Sequence, residues 1–132
     1  MLEAIFARQK IIPVITLDRV EDAVPLACAL SSGGLDVLEV TFRTEAAAAA
    51  IQVIRDQVPA VTVGAGTVTT PAILQAAETA GATFFVSPGA TDALLSAANP
   101  STFLPGGATL SEMMRAFDAG FQVQKVFPAE AL

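Results

Sequence analysis

Two charged side chains stand where apolar neighbours would ordinarily exclude them. Lys125 lies in Val123-Gln124-Lys125-Val126-Phe127, and the two-residue alternation of a strand puts it on one face with Val123 and Phe127. Desolvation there disfavours an ammonium and leaves more neutral amine to add to a carbonyl and form a Schiff base. Glu39 lies in the run Val37 to Arg43, which alternates Leu38, Val40 and Phe42 on one face with Val37, Glu39, Thr41 and Arg43 on the other. If the apolar face meets covering helices, Glu39, Thr41 and Arg43 project inward, where an unpaired charge is costly. An amine and a carboxyl sharing one cavity can divide the labour, one as nucleophile and the other carrying protons through carbinolamine and enamine steps. Structural explanations compete. Glu39 can sit in an interior ion pair with an arginine or lysine, and a lone lysine at a strand end can snorkel to water.

The sequence has no His, which removes imidazole-based triads, His acid/base chemistry and most zinc sites, leaving Lys, Glu, Asp, Arg, Ser and Thr to do any catalysis. Cys28 is the single cysteine, so no internal disulfide forms; within its apolar helical stretch it reads as a buried, inert thiol. Gly64-Ala65-Gly66-Thr67 either admits a ligand close to the backbone and presents the Thr67 hydroxyl, or is a tight turn. Ser87-Pro88-Gly89 and Pro105-Gly106-Gly107 read as ordinary turns at strand ends, and Phe127-Pro128-Ala129-Glu130 as an extended turn that stops a strand.

Six apolar, β-branched runs must position these residues. They begin at residues 11, 37, 61, 83, 102 and 123, a near-constant step that fits one strand, one helix and two short loops. Helix signals fill the gaps. Glu45 to Gln57 is Ala-rich with Thr44 as N-cap, and Thr70-Pro71 reads as N-cap and first helical position with Gly81 ending that helix. Thr91-Asp92 opens a short helix; Thr109 and Glu112 have capping-box spacing, with Gly120 closing the segment. Pro25 places the start of the first crossover helix near Asp22. The alternation predicts an α/β fold with a parallel sheet, either open and doubly wound or closed as a (β/α)₈ TIM barrel. No G-x-G-x-x-G follows the first strand, and polar residues occur inside several strands, which favours the barrel. The expectation is one unit over residues 1–132, an incomplete barrel of about six βα units without the last two, since such barrels usually need about 200 residues or more.

Lys and Arg total 7 against 13 Asp and Glu, a net charge of −6 without a basic cluster, so neither nucleic acid nor an anionic membrane surface is an expected partner. No apolar run approaches bilayer length, and residues 1–10 lack the basic start and long apolar stretch of a signal peptide, so the expected location is cytoplasmic.

Read together, Glu39-Val40-Thr41-Phe42-Arg43-Thr44, Gly64-Ala65-Gly66-Thr67-Val68, Val86-Ser87-Pro88-Gly89, Leu104-Pro105-Gly106 and Lys125-Val126-Phe127-Pro128-Ala129-Glu130 resemble the 2-keto-3-deoxy-6-phosphogluconate/4-hydroxy-2-oxoglutarate aldolase family. The five motifs run in order over nearly the whole chain. The resemblance implies a class I aldolase on a (β/α)₈ barrel, homotrimeric, with no cofactor or metal, acting on a small 2-keto acid. It implies Lys125 as the Schiff-base lysine and Glu39 as acid/base. Arg43 and Thr67 would hold the pyruvyl carboxylate, and Pro88 and Phe127 would wall the pocket. The family's phosphate-binding loops follow the seventh and eighth strands, which are not in this sequence, so turnover of a phosphorylated substrate is expected to be impaired. Two other readings stand beside cleavage to pyruvate and glyceraldehyde 3-phosphate. One is cleavage of 4-hydroxy-2-oxoglutarate to pyruvate and glyoxylate; the other is a non-enzymatic partial barrel that assembles through its strand edges. Gln124, on the helix-facing side of the sixth strand, and the short stretch Asn99-Pro100-Ser101-Thr102 depart from the family pattern.

Overall fold

Val37–Thr41 (β2) and Thr62–Gly66 (β3) are the longest strands, and their parallel register sets Glu39 opposite Gly64 and Thr41 opposite Gly66. The computed structural model describes residues 1–132. Val14–Ile15 (β1) flanks β2, and Phe85–Val86 (β4) and Phe103–Leu104 (β5) follow β3, giving a five-stranded parallel sheet in the order β1-β2-β3-β4-β5. A second parallel pair joins Gly106–Gly107 (β6) to Lys125–Val126 (β7). Only Pro105 separates β5 from β6. Proline has no N–H to give the ladder, so the strand is interrupted there, yet the Pro105 carbonyl accepts from Lys125 N at 2.9 Å and carries the pairing on to β7. This corrects the reading of Pro105-Gly106-Gly107 as a turn: the two glycines are strand residues. The architecture is a partial parallel barrel.

The helices Ala23–Ser32 (α2), Ala47–Gln57 (α3), Pro71–Ala80 (α4), Asp92–Ala97 (α5) and Leu110–Asp118 (α6) alternate with the strands. Their apolar stripes meet the outward residues Leu38, Val40, Val63, Ala65 and Phe85 in the main core. Several ends form as the residue types dictate. Thr70 accepts from Ile73 N, Gly81 takes φ 92° at the C-terminus of α4, and Thr91 accepts from Leu94 N. Thr109 and Glu112 close a reciprocal capping box. Pro25 falls in the first turn of α2, after a 3₁₀ turn at Val20–Asp22.

Three expectations change. Thr44 does not cap α3, which starts at Ala47; its hydroxyl instead donates to the Leu17 carbonyl and ties the end of β2 to the segment after β1. Cys28 is exposed, because Ala27 takes the core-facing position of α2 and the next residue turns about 100° away. The first strand is shorter than the run Ile11 to Ile15, with Ile11 left exposed outside it.

An unpredicted helix, Leu2–Arg8 (α1), closes the N-terminal end of the barrel. Its Leu2 and Ile5 join the barrel-facing residues Val37, Phe84 and Val86 in a second core, flanked by Ile12, Leu104 and Val123. Gln9 follows it, buried, and serves the start of β2. Its amide donates to the Val37 carbonyl at 2.8 Å, and its oxygen accepts from Asp36 N at 2.7 Å and Val37 N at 3.0 Å. Replacing Gln9 by Leu strands these buried backbone groups, and urea unfolding is expected to lose about 3 kcal/mol.

Candidate active site

The C-terminal ends of parallel strands converge on one mouth of the barrel, and the sequence-predicted residues lie along it. Glu39 is in β2 and Arg43 just beyond it; Thr67 follows β3, Pro88 follows β4, Lys125 is in β7 and Phe127 follows β7. Glu39 is 6% exposed and Thr41 1% exposed, as expected for inward positions of β2. The Thr41 hydroxyl shares a 2.9 Å hydrogen bond with Thr16, which steadies the β1–β2 edge of the mouth.

Glu39 has space because β3 carries glycine at the two barrel-facing positions opposite Glu39 and Thr41. A Cβ on Gly64 would overlap the Phe84 ring, and one on Gly66 would overlap the Glu39 carboxyl, lying 2.7 Å from Cδ and 2.8 Å from Cγ. Phe84, 1% exposed, thus floors the cleft in which the carboxyl lies. Burial raises the Glu39 pKa above its ordinary value of 4.5; the charges of Lys125 and then Arg43 pull in the opposite direction without cancelling the rise. The ion pairs of the molecule lie elsewhere, between Arg19 and Glu21 or Asp22, Arg55 and Asp56, and Arg115 and Asp92. The interior salt bridge considered from sequence is therefore not formed. Glu39 feels the Lys125 charge but is not consumed by it.

Lys125 is half-buried, which corrects the expectation of a dry interior. β7 has a strand neighbour only at β6, so its other flank is less covered. Its ammonium nitrogen lies 4.7 Å from the centre of the half-buried Phe127 ring, on the same face of the strand. Backbone bonds from Lys125 N to Pro105 O and from Phe127 N to Gly107 O, at 2.9 and 3.1 Å, fix both side chains relative to β6. Pro88 is half-buried at the rim; a Cβ on Gly106 would overlap its carbonyl, so glycine there lets the β4 loop approach β6. The buried Ser87 hydroxyl accepts from Gly106 N at 3.4 Å.

Arg43 is exposed at the mouth, and its Nε donates to Thr67 Oγ1 at 3.3 Å. Thr67 has φ 56°, a left-handed conformation that a β-branched residue adopts at a cost. That backbone turn pairs its hydroxyl with the guanidinium, and together they form a donor fork suited to a carboxylate. Thr67→Gly is expected to raise stability by about 1 kcal/mol by removing the Cβ strain. The same change removes the hydroxyl to which Arg43 donates and is expected to weaken binding of a small carboxylate at this fork by about tenfold, read as Kd. Sequence reasoning missed Phe84 and the spatial function of Gly64 and Gly66. A period-two reading of β3 and β4 places all three inward and would have found them.

A partial parallel α/β barrel with an amine and a buried carboxyl outside any ion pair along one mouth is an architecture of the TIM-barrel type. The family model for KDPG and KHG aldolase matches residues 2–132, and the chain belongs to that family. It is 48% identical over 131 residues to the 2-dehydro-3-deoxy-phosphogluconate aldolase of Dickeya dadantii, covering 98% of this chain and 62% of that protein. The KHG/KDPG aldolase of Escherichia coli gives the same identity and coverage. Among solved structures, the KDPG aldolase of Legionella pneumophila, with pyruvate captured at low pH as a covalent carbinolamine intermediate, superimposes with TM-score 0.92 at 44% identity. It matches 97% of this chain and 63% of its own. The 2-keto-3-deoxy-6-phosphogluconate aldolase of Zymomonas mobilis with 3-phosphoglycerate gives TM-score 0.93 at 41% identity, over 98% and 63% of the two chains. This chain thus spans a little over three fifths of the relatives it matches.

Gln124 also finds its explanation. Its amide donates to the Met113 and Phe121 carbonyls, both at 3.0 Å, so this polar residue satisfies backbone acceptors at and after α6.

Proposed function

We propose that this chain carries the Schiff-base site of a class I aldolase and cleaves 2-keto-3-deoxy-6-phosphogluconate to pyruvate and glyceraldehyde 3-phosphate. The observation that carries the reading is Glu39, a buried carboxyl with raised proton affinity that feels Lys125 without an ion pair between them. The neutral Lys125 amine adds to the C2 carbonyl of the substrate, giving a carbinolamine that loses water to an iminium. Glu39 takes the proton of the C4 hydroxyl as the C3–C4 bond breaks. The bond's electron pair moves into the iminium and leaves an enamine, so no free carbanion forms and the aldehyde departs. Protonation at C3 and hydrolysis then release pyruvate and restore the amine. Arg43 and Thr67 hold the substrate carboxylate, while Pro88 and Phe127 wall the pocket. A carboxyl whose pKa burial raises holds a proton more readily than an ordinary carboxylate, which suits these alternating proton transfers.

Cleavage of 4-hydroxy-2-oxoglutarate to pyruvate and glyoxylate is a second reading, favoured by the matched family description and the Escherichia coli relative, both of which include KHG. Cleavage rates on the two substrates separate them. In this reading residues 1–132 form one partial-barrel unit that acts in the cytoplasm on a small 2-keto acid. No helix is long and apolar enough to cross a membrane. Self-association is part of the proposal, supported by the exposed Leu110, Met114 and Phe117 of α6. Sedimentation tests for the trimer. The chemistry is tested by borohydride reduction with pyruvate and peptide mass analysis: the pyruvyl adduct is expected on Lys125, and a folded protein with unmodified Lys125 would defeat the reading.

A further inference from the structure

Glycine inside a strand weakens it, so Gly66 requires a cause. Conformation does not supply one: the glycines with positive φ are Gly34, Gly81 and Gly120, and Gly66 is not among them. Space does. The three nearest atoms that a Cβ at residue 66 would meet, Oε1, Cδ and Cγ, all belong to Glu39, although this carboxyl comes from the neighbouring strand and from the register position opposite Gly64. We propose that Gly66 is a positioning residue for Glu39: its missing side chain lets the carboxyl lie across β3 above the Phe84 ring, and a methyl group there would drive it toward the open mouth.

The inference rests on the aldolase reading only for the role it gives Glu39. Lys125 from β7 and Arg43 from the end of β2 are the charged groups that act on this carboxyl. The facing positions on β1, β3 and β4, Val14, Gly64, Gly66 and Val86, and Phe84 just before β4 carry no charge. Displacement from the Phe84 floor toward the mouth therefore trades burial for solvent and the two cations, and both changes favour the carboxylate.

A stability cycle and a titration test this without turnover. Gly66→Ala is expected to lower the thermal midpoint, whereas the same change made in Glu39→Ala is expected to cost little or nothing, because the obstructing side chain is gone. Equal losses in the two backgrounds, or a Glu39→Ala/Gly66→Ala protein that does not fold, would overturn the proposal. If Gly66→Ala alone fails to fold while the double variant folds, the proposal stands. Where Gly66→Ala folds, the Glu39 carboxyl carbon, assigned by its disappearance in Glu39→Gln, is expected to titrate closer to 4.5 than in the unchanged protein. An unmoved titration would overturn the proposal. Failure of the unchanged protein to trap pyruvate would defeat the aldolase reading and leave this cycle intact.

Discussion

Lys125→Met is expected to abolish the borohydride-trapped pyruvate adduct and to lower turnover by about 10⁵-fold, the scale seen when an enzyme loses its covalent nucleophile. The sequence makes the trapping result easy to read. Lys10 is the only other lysine, and it is exposed, with its ammonium donating to the Phe6 carbonyl at the end of α1. An adduct at Lys10 would report generic amine reactivity, whereas an adduct confined to Lys125 reports a site. Lys125→Arg divides the effect into its parts. It keeps a cation that can rest on the Phe127 ring, yet guanidinium does not form the imine, so it is expected to be as inactive as Lys125→Met. The two variants differ at Glu39. Methionine removes a charge that lowers the Glu39 pKa and so pushes that carboxyl further up, while arginine leaves most of the pull in place. A carboxyl titration that separates the two variants, alongside equal loss of trapping, would show that Lys125 acts both as nucleophile and on the acid/base beside it.

The legible parts of this molecule are those set by local chemistry. Period-two alternation in Val37 to Arg43 separates the helix-facing Leu38 and Val40 from the barrel-facing Glu39 and Thr41, and both sets are where that pattern puts them. Thr70-Pro71, Thr91-Asp92 and the Thr109/Glu112 box mark helix starts because the side chains satisfy backbone N–H groups within their own turn. The misreadings depend on distant partners. Thr44 has the right type and place for a cap, but the Leu17 carbonyl from another part of the chain takes its hydroxyl. Gly106 and Gly107 resemble a turn until β7 arrives to pair with them, and the half-burial of Lys125 depends on how far neighbouring strands cover β7. Gln9 carried no local sign of its importance, since its partners Asp36 and Val37 lie more than 25 residues away. The α1 helix went unpredicted, although Leu2, Ile5 and Phe6 stand at the three- and four-residue spacing of a helix face. At the candidate site, residue types and faces could be read from the chain, whereas the Phe84 floor and the room at Gly66 emerge from three strands packed together.

Glu39→Gln is expected to move activity and stability in opposite directions. Glutamine cannot exchange the protons of the carbinolamine and enamine steps, and kcat is expected to fall by about 10²- to 10⁴-fold. Stability follows the pKa shift. Burial raises the folded-state pKa of Glu39 above 4.5, so the folded protein holds this proton more tightly than the unfolded chain. The stability linked to the protonated form is complete below the unfolded value and is lost as pH rises through the folded one. Above that window the carboxylate burdens the fold, and neutral glutamine does not. Glu39→Gln is therefore expected to melt higher than the unchanged protein at neutral pH, with the advantage closing as pH falls toward 4.5. Thermal unfolding across pH checks the sign. An interior ion pair with Lys125 predicts the reverse, because glutamine would leave that lysine without its partner and lower the melting point at neutral pH. That outcome, a carboxyl that costs stability when ionised although it feels the Lys125 charge in a cleft that two glycines keep open, is what a proton-transfer group would give and a structural ion pair would not.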